Sequence, residues 1–555
     1  MIFDRLAAGF RPYLLLALLT LIVALPGIAS IPPLDRDEAR FAVASREMIE
    51  TEDFVTARFQ DEIRAKKPPL INWLQAESAE ALEAEDDIWA YRVPSAVGAL
   101  IAVLATFHFG AVLVGRKAAL LGAALLAITP LVASEAHQAK TDALLLACIV
   151  VAQGALARFY MAARGGDGLT TPAPGWGTVL AFWLAQAAGI LTKGPIAPMV
   201  SALTIAALVI ADRRTPRGWI WLKGLRALPG IVLMVVLVAP WAIAVSLATS
   251  GQFLAQAVGH DLMDKVTSGQ ESHAAPPGTF LLLASATLWP AATFMLPGLV
   301  AGIRRRAQPA MRFCLAWAIP SWIVFELVPT KLPHYVLPCI PALALLAGAA
   351  LVDAGPIWQR LWLRLYAIVG ALIGVVVAVA FVLANAPFLM GLGLASAAIA
   401  GLGAAASLTA GIGVAVLLLR GRPLRAATAA IVASALVLAA LFGGVLPRLT
   451  ALFPAQELAR LVPPGAPVAV SGYHEPSLVF LLGTHTKLTD GGGAAAFLLD
   501  TPGAVVAVDQ RDEADFLARV RAGGRSPDAL GEVTGMNLAR GRPVDLMVWT
   551  LDAKP

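Results

Sequence analysis

Three acidic residues stand close together directly after the first hydrophobic stretch of the chain. The segment "PPLDRDEARFAVASREMIETED" contains Asp35, Asp37 and Glu38. A carboxylate held in a site can accept a proton from a reacting group or stabilise positive charge that develops during a reaction. The stretch "DEARFAVASREMIE" has helical composition, and we predict a helix there. Asp35 and Asp37 are separated by one residue, so one of the two could instead cap a helix. Both interpretations stay open for this segment.

Two adjacent lysines follow in "FQDEIRAKKPPLINWLQ". Proline is tolerated in the first turn of a helix, so "PPLINWLQ" can begin one, with Leu70, Trp73 and Leu74 along one face. Lys66 and Lys67 would then stand where an interfacial helix begins, and a cation beside unpaired backbone N–H groups makes a site for an anion such as a phosphate. The alternative is that both lysines only reach toward anionic lipid headgroups.

Further ionisable residues flank apolar runs in "SEAHQAKTDALLL", "LTKGP" and "VPTKLPHYVLPCIP". These residues are His137, Lys140, Asp142, Lys193, Lys331, His334 and Tyr335. Polar side chains beside interrupted helices in a membrane are costly unless they line a cavity or pair with one another. Asp142 could simply cap the helix that follows it. Delivery of polar groups by several separate segments nevertheless indicates a common site.

The composition that surrounds these segments is that of a membrane protein. Of the 555 residues, 58% are hydrophobic and 14% are charged, whereas soluble proteins carry about 25% charged residues. The three cysteines lie in apolar runs without metal-ligand spacing, which argues against a disulfide framework or a zinc site. The net charge of +5 comes from basic residues in short loops, so it does not indicate nucleic-acid binding.

The apolar runs predict about thirteen membrane spans, since each span needs about 20 apolar residues. We expect them near residues 12–31, 93–114, 118–134, 141–162, 176–193, 194–211, 228–248, 279–303, 313–328, 335–352, 362–384, 390–419 and 425–446. Basic clusters recur in the loops, and all of them lie on one side of the membrane if the spans alternate. The positive-inside rule makes that side cytoplasmic.

The opposite, extracytoplasmic side then receives the 32–92 loop and everything after about residue 447. We therefore divide the chain into a transmembrane domain, 1–446, and a C-terminal domain, 447–555. In the latter, "APVAVSGYHEPSLVFLL" and "GAVVAVDQ" are typical of short strands, and "DEADFLARVRAG" has helical spacing that ends at glycine. These patterns predict a small α/β domain outside the membrane.

The motifs "DRDEARFA", "KKPPLINWL", "KTDALLL", "LTKGP", "TKLPHYVLPCIPALALL" and "GMNLARGRPVDLMVW" together resemble those of the GT-C superfamily of membrane glycosyltransferases. The chain is similar to the bacterial branch related to aminoarabinose (lipid A) transferases and, more distantly, to protein O-mannosyltransferases. The resemblance implies a polytopic α-helical membrane fold with a small C-terminal soluble α/β domain. It also implies an inverting enzyme of the bacterial inner membrane. Such an enzyme moves a sugar at the periplasmic face from a polyprenyl-phosphate donor, such as undecaprenyl phosphate, to lipid A, a glycan or another envelope acceptor.

The resemblance also implies roles for individual residues. Asp37 of the Asp-Glu pair matches the catalytic carboxylate, and Asp142 matches a second acidic position of the cavity. We predict Asp37, Asp142 and Glu38 as the catalytic residues. Lys67 and Tyr335 match groups that grip the donor phosphate. Further candidates for the phosphate are Lys265 and Lys331, and those for the cavity are Lys193, His137, His260 and His334.

The lysine at position 66 departs from the family pattern, because relatives often carry a glutamate there that contacts a metal. We therefore predict no metal and no other cofactor. A phosphate leaving group can be stabilised by lysines and a phenol alone. If the acceptor is a hydroxyl, Asp37 can deprotonate it; if the acceptor is itself a phosphate, no base is needed and Asp37 would orient it.

A transporter or flippase for a lipid-linked or small substrate is the alternative from another functional class, since many spans and intramembrane ionisable groups fit it too. No internal repeat is evident in the sequence, and the ionisable groups are expected at one face and not at the midplane. We therefore favour the transferase. Its expected partners are the donor, the acceptor and membrane lipids, without nucleic acid, and the chain is expected to be a monomer.

Overall fold

The computed structural model describes residues 2–64, 67–164, 174–215, 218–254, 275–389, 394–538 and 540–551. Helices dominate as far as Leu452, and a mixed five-stranded sheet follows near the C-terminus. The predicted fold class, a polytopic α-helical membrane protein with a small C-terminal α/β unit, is therefore confirmed.

Eight helices in the described ranges are long and apolar enough to cross a membrane. They are Ile88–Val114, Asp142–Arg164, Ala227–Ala248, Pro309–Leu327, Pro333–Asp353, Leu361–Ala384, Ala397–Leu419 and Pro423–Arg448. A ninth candidate is the pair Arg116–Ala127 and Pro130–Ala136, which bends by 63° at its break. Shorter apolar helices are Arg11–Ala24, Ile196–Ala211 and Ala292–Arg304. The count of thirteen spans stays a prediction.

The remaining elements are mostly short. The other α-helices are Ile2–Leu6, Asp37–Thr51, Leu70–Ala81, Trp176–Lys193, Gln252–Leu254, Thr279–Thr287, Pro454–Leu461, Pro476–Leu482, Gly491–Asp500 and Gln510–Ala522. Short 3-10 helices are Ile220–Leu225, Pro333–Cys339, Pro356–Gln359, Leu446–Arg448 and Thr450–Leu452. Two π-helical turns, Thr409–Gly413 and Leu441–Val445, interrupt the last two spans.

Small residues hold two of the helices close together. A Cβ atom added at Gly122 would lie 2.7 Å from the carbonyl oxygen of Ala344, and one added at Gly348 would lie 2.0 Å from that of Ala118. Small residues let two backbones approach, which is a common basis of helix association in membranes. The contact packs the first half of the bent pair against the helix that follows Pro333–Cys339, and so brings together two segments that carry polar residues of the site.

A buried carboxylate, that of Asp212, joins three of the basic loops at the ends of the helices that are predicted to face the cytoplasm. Asp212 accepts hydrogen bonds from the Tyr160 hydroxyl at 2.9 Å and from Arg164 at 2.5 Å, and it also pairs with Arg312. Sequence reasoning placed the loops around 164, 213 and 312 on one side of the membrane. Their meeting at Asp212 supports that placement without depending on the number of spans.

Two helices and a hairpin follow the first apolar helix. We call Asp37–Thr51 the carboxylate helix; it packs on Leu70–Ala81 through polar contacts. Ser45 donates to Gln75 Oε1 at 2.7 Å, and Asn72 donates to Ser45 Oγ at 3.0 Å. Both predicted helices are therefore present, and the apolar face that begins at Leu70 points away from their contact. Strands β1, Arg58–Phe59, and β2, Glu62–Ile63, form an antiparallel hairpin between them.

The C-terminal unit, residues 454–551, contains the five-stranded sheet. Its strands are β3, Val468–Ser471; β4, Lys487–Thr489; β5, Val505–Asp509; β6, Asp528–Asn537; and β7, Arg542–Thr550. Their order is β4-β3-β5-β7-β6, with β3 parallel to β4 and β5 and the other pairs antiparallel. Alternate residues of β3 and β5 enter two apolar cores on opposite sheet faces, as strand geometry requires. The domain boundary at 446/447 stays a prediction.

Candidate active site

Asp37 is the first residue of the carboxylate helix, and its side chain is accessible to solvent. Burial by the surrounding protein would raise the pKa of this carboxyl, but positive charge from Arg64, Lys140 and Lys193 outweighs burial and holds the pKa below its ordinary value. Asp37 is therefore ionised at neutral pH, which is the form that a general base or a charge-stabilising group requires.

Glu38, the next residue, points into the protein interior. Its carboxylate pairs with Arg92 through two hydrogen bonds of 2.8 and 2.9 Å, and both side chains are fully buried. The same oxygens accept the backbone N–H groups of Leu34 and Ala139 at 2.8 and 2.9 Å. Glu38 was predicted beside the catalytic carboxylate, but this placement leaves no oxygen facing the solvent. We assign it instead to anchoring the start of the carboxylate helix.

Two largely buried ion pairs lie where three helical segments end or begin. Lys193, the last residue of Trp176–Lys193, is 2.6 Å from Asp142, and Lys140 is 2.9 Å from Glu135. Burial would lower the pKa of Lys140, but the carboxylates of Glu135 and Asp142 raise it. His334 lies between the acids, with one ring nitrogen 3.8 Å from each. We call these five residues the ionic cluster.

Three members of the ionic cluster carry donor atoms that suit a metal. The ligand atoms of Glu135, Asp142 and His334 all lie within 4.8 Å of one another. However, an ammonium group already pairs with each carboxylate, so a divalent ion would have to displace Lys140 and Lys193 or add uncompensated charge. The donor set alone therefore does not make a metal site, and the expected absence of a metal stays a prediction.

A small crevice of about 10 Å³ with one apolar side lies at Arg64, the cation whose charge acts on Asp37. Arg64 and Lys67 line it together with Trp241, Val245 and Phe253 from the region of the Ala227–Ala248 span. Ile63 of the hairpin and residues Val55–Ala57, which precede the hairpin, complete the wall. The guanidinium of Arg64 also stacks over the Phe41 ring at 4.2 Å. The crevice thus combines two cations with hydrocarbon side chains.

The remaining predicted residues divide into two groups. Tyr335 lies beside the ionic cluster: its ring is 5.6 Å from the Lys193 ammonium and contacts the His334 ring edge-on at 5.2 Å. The structure thus brings together Asp37, Asp142, Lys193, His334 and Tyr335, with Lys67 in the adjoining crevice.

Two predicted residues serve elsewhere. Lys331 was expected among the phosphate ligands, but it donates to backbone carbonyls at the end of the Pro309–Leu327 helix, including that of Glu326 at 2.7 Å. His137 was expected in the cavity, but its ring nitrogens lie 2.8 and 2.9 Å from the carbonyls of Ala133 and Pro26. Each side chain donates to at least one carbonyl at a helix end, a need that sequence spacing does not reveal. Lys265 and His260 lie outside the described residues.

Three residues of the site were not predicted. Arg64 stands three positions before Lys67, Glu135 seven before Asp142, and Arg92 at the start of a span. A signal was available for Glu135, because a charged residue beside His137 and Lys140 in an apolar context is as costly as they are. Arg64 and Arg92 carried no comparable signal. Arg64 lies in a polar loop, and Arg92 is a single basic residue near the start of a span, where such a side chain can reach the membrane interface.

Comparison with known proteins gives three findings. Residues 66–243 match the family model described as dolichyl-phosphate-mannose-protein mannosyltransferase. That range includes Lys67, Asp142 and Lys193 but not Asp37. The chain is 30% identical over 321 residues to the undecaprenyl phosphate-alpha-4-amino-4-deoxy-L-arabinose arabinosyl transferase of Aeromonas salmonicida, covering 57% of this chain and 56% of that one. A Pseudomonas fluorescens transferase of the same name is 28% identical over 329 residues, 57% of this chain and 55% of its own.

The chain therefore spans a little over half the length of the curated relatives that it matches. Among solved structures, ArnT from Cupriavidus metallidurans bound to undecaprenyl phosphate superposes with a TM-score of 0.73 at 22% identity, over 97% of this chain and 98% of that chain. The oligosaccharyltransferase AglB from Archaeoglobus fulgidus gives 0.52 at 13% identity, over 98% of this chain and 75% of its own. The chain shares the fold of these solved proteins, and its sequence is similar to the transferases named above.

Proposed function

We propose that this chain, which has the fold of GT-C glycosyltransferases, is an inverting glycosyltransferase that uses a polyprenyl-phosphate-linked sugar, with undecaprenyl phosphate as the carrier. The acceptor is lipid A, a glycan or another envelope component at the periplasmic face of the inner membrane. One observation carries the proposal: Asp37, ionised and accessible, lies within the electrostatic reach of Arg64, which lines an apolar crevice together with Lys67. The curated relatives act, by their names, on an undecaprenyl-phosphate-linked sugar.

The lining of the crevice suits the donor, because a polyprenyl phosphate is an anion on a hydrocarbon chain. At about 10 Å³ the crevice holds about one water molecule, so the donor would have to widen it on binding. Arg64 and Lys67 would hold the phosphate oxygens through charge-assisted hydrogen bonds, which are stronger than neutral ones. Trp241, Val245 and Phe253 would contact the hydrocarbon. The phosphate would then stand close to Asp37, since Arg64 acts on both.

The reaction needs one bond made and one broken. The acceptor oxygen attacks the anomeric carbon from the face opposite the phosphate, the bond from that carbon to the phosphate oxygen breaks, and the polyprenyl phosphate leaves with the electron pair. The two cations of the crevice stabilise the charge that develops on this leaving group. If the acceptor is a hydroxyl, its proton passes to Asp37; if it is a phosphate, Asp37 orients it and stabilises positive character at the anomeric carbon.

The ionic cluster would support the site on the side of Asp37 away from the crevice. Two lysines and two carboxylates neutralise one another in the buried pairs. The positive charges of Lys140 and Lys193 also lower the pKa of Asp37 and keep its carboxyl group ionised. Asp142 would thus act on the reaction by holding Lys193 in place, and Lys193 in turn lies beside Tyr335, the proposed phenol donor to the phosphate.

The position of the charges favours a transferase over a transporter. Asp142 and His334 lie at the beginnings of spans, Glu135 in the last turn of the bent pair and Lys193 at the end of its helix. Transporters of lipids or ions typically bind their substrate near the membrane midplane, between repeated halves. In the described part of the chain, the ionisable cluster instead lies at one end of the helices.

Topology gives a first test. Reporter fusions after Arg214 and Arg305 are expected to report the cytoplasm, because these residues belong to the basic loops, and fusions after residue 450 are expected to report the periplasm. The measurement is the activity of paired reporters, one of which folds only in each compartment. A cytoplasmic C-terminal unit would contradict the proposed location of the active site.

Binding of the carrier gives a second test. Replacing Lys67 with alanine is expected to weaken binding of undecaprenyl phosphate by about 10- to 100-fold, since a hydrogen bond to a charged group contributes about 1.5–3 kcal/mol. The carrier is used as the probe because it is independent of the sugar. Lys487→Ala, which removes an exposed lysine of the C-terminal unit, is the matched control and should bind like the parent protein. If the parent protein and both variants bind undecaprenyl phosphate equally well, Lys67 only reaches toward lipid headgroups and does not bind the carrier.

The proposed activity itself is tested by transfer. The purified chain is incubated with undecaprenyl phosphate-alpha-4-amino-4-deoxy-L-arabinose and lipid A, and the release of undecaprenyl phosphate is followed together with the mass of the acceptor. We expect sugar to appear on the acceptor in step with carrier release. Movement of intact donor across vesicles without release of the carrier would favour the transporter.

A further inference from the structure

We infer that the C-terminal unit, which lies outside the membrane helices, positions the active site by holding two backbone segments, one that carries the proposed catalytic carboxylate and one that precedes a proposed phosphate-binding cation. Ser477 and Tyr473 fix the loop that carries Asp37, and the carbonyls of Thr484 and Thr486 fix the hairpin that precedes Arg64. The inference rests on the proposed function, because it assigns positioning residues to that same site.

The first contact is a partly buried carboxylate, that of Asp35, held by two hydroxyl groups. Ser477 Oγ donates to one oxygen of Asp35, and the Tyr473 hydroxyl donates to the other at 3.2 Å. Ser477 and Tyr473 are each only 1% exposed. Burial raises the pKa of Asp35 to about 6, and the two hydroxyl groups oppose this shift. Asp35 is two residues before Asp37, so this contact acts on the backbone directly beside the proposed catalytic carboxylate.

The backbone between these aspartates is strained. Arg36 has φ of 64°, a value that residues with a side chain rarely adopt. Such a conformation persists only where the surroundings impose it, and it is typically found at functional sites. Here Asp35 is held on one side by the C-terminal unit, and Glu38 is held on the other by Arg92. Asp37 lies between the two anchors and is more exposed than either Asp35 or Glu38.

The second contact acts on the cations. The Gln60 side-chain amide donates to the carbonyls of Thr486 and Thr484 at 2.6 and 3.1 Å. Its backbone N–H donates to Glu47 of the carboxylate helix at 2.6 Å. Gln60 is at the turn of the β1–β2 hairpin, and Arg64 directly follows that hairpin. The same unit therefore holds the segments that carry both charges of the proposed site.

Apolar packing makes these contacts rigid. Phe480 is buried against the Tyr91 ring, with the ring centroids 5.4 Å apart, and its carbonyl accepts a hydrogen bond from Arg46 of the carboxylate helix at 3.2 Å. Val479 and Phe480 share one core with Ala42 and Val43 of that helix. Because close-packed interiors transmit displacement, a shift of Pro476–Leu482 would move the carboxylate helix.

The experiment removes the hydroxyl groups and leaves the apolar packing in place. Ser477→Ala and Tyr473→Phe are compared with Ser477→Thr, which keeps a hydroxyl, and with Ser526→Ala, an exposed serine of the same unit. We expect the first two to lower kcat of transfer by about 10-fold or more with little change in the donor KM, since misplacement of a reacting group acts on the chemical step. Ser477→Thr should recover most of the rate, and Ser526→Ala should match the parent protein.

The pH profile supplies a readout that a merely structural role would not move. Glu475 is the other acidic group facing Asp35; it accepts a hydrogen bond from Asn537 and lies 3.9 Å from Arg540. Protonation of Asp35 removes the charge that strengthens both hydroxyl contacts, so we expect transfer to fall as the pH drops through about 6. Loss of a donor to the charged form raises the pKa of Asp35 further. The acid limb should therefore move to higher pH in Ser477→Ala and Tyr473→Phe.

Backbone hydrogen exchange of the full chain in detergent separates this inference from the proposed function. Faster exchange in residues 33–39 of Ser477→Ala and Tyr473→Phe, with the rest of the C-terminal unit unchanged, is the expected result and can be read without any substrate. If the parent protein transfers no sugar, the proposed function fails and exchange alone decides the inference. Exchange and acid limb identical to those of Ser526→Ala would overturn the positioning role.

Discussion

Replacing Asp37 with asparagine is expected to lower the rate of sugar transfer by about 100-fold or more, while the protein remains folded and binds undecaprenyl phosphate. Asparagine keeps the shape of the side chain but removes its charge, and with it both base action and stabilisation of the anomeric carbon. A helix-capping role predicts the reverse, because asparagine caps as well as aspartate does. The structure shows no side-chain hydrogen bond of the capping kind from Arg36, the residue before the helix. The measurement is transfer from the synthetic donor.

Asp87→Asn provides the matched control for this experiment. Asp87 is an exposed aspartate directly before the Ile88–Val114 helix, and its side chain makes no capping bond. It should show normal transfer and normal thermal unfolding in detergent. The pKa of Asp37 lies below its ordinary value, so the loss of activity near pH 6 that we expect from Asp35 should not arise from Asp37 itself. Near-normal turnover of Asp37→Asn would remove the main chemical support for the proposed function.

Replacing Arg92 with methionine is expected to destabilise the protein by about 3–5 kcal/mol, the usual cost of leaving one partner of a buried ion pair uncompensated. Arg92 is fully buried and donates to Glu38 and to the carbonyls of Ile28, Ile31 and Pro32 at 2.7–3.0 Å. The variant leaves the Glu38 carboxylate buried without its cation. Unfolding in detergent micelles, followed by a thiol-reactive dye on the three buried cysteines, measures the effect.

The double variant Glu38→Gln with Arg92→Met tests the cause of this loss. Removing the orphaned charge should recover a large part of the stability, because the cost comes from the unpaired carboxylate more than from the missing contacts. Arg460→Met, which breaks an exposed pair with Glu457, should cost at most about 1 kcal/mol. A loss of similar size in Arg92→Met and Arg460→Met would show that Glu38 is hydrated and does not anchor the helix.

Much of the fold could be predicted because its signals are local. The carboxylate helix, the Leu70–Ala81 helix and the strands Val468–Ser471 and Val505–Asp509 all lie where composition and periodicity placed them. The expectation of a strand over the second half of "APVAVSGYHEPSLVFLL" is wrong, because Pro476–Leu482 forms a helix with proline in its first turn. The polar residues of separate motifs could also be predicted to converge, since each is costly in a membrane unless it meets a partner. Asp142 and Lys193 are 51 positions apart, and they pair as this argument requires.

The assignments that the structure changed depend on contacts between distant segments. Glu38 differs from its neighbour Asp37 only in that Arg92, far along the chain, occupies its carboxylate. Lys331 was expected to bind phosphate, but the carbonyls at the neighbouring helix end accept its hydrogen bonds. The role of Asp35 depends on residues more than four hundred positions away. Hydrophobic periodicity carries no information about such pairs.

The contacts of the C-terminal unit also set a rule for building chimaeras between proteins of this fold. Gln60 binds backbone carbonyls, so a transplanted unit of the same backbone geometry would satisfy it whatever residues stand at 484 and 486. Asp35 binds side chains, so it needs the hydroxyl groups of Ser477 and Tyr473 or substitutes for them. A functional exchange of this unit must therefore transfer Asp35 with it as a cognate set, whereas Gln60 can remain with the recipient.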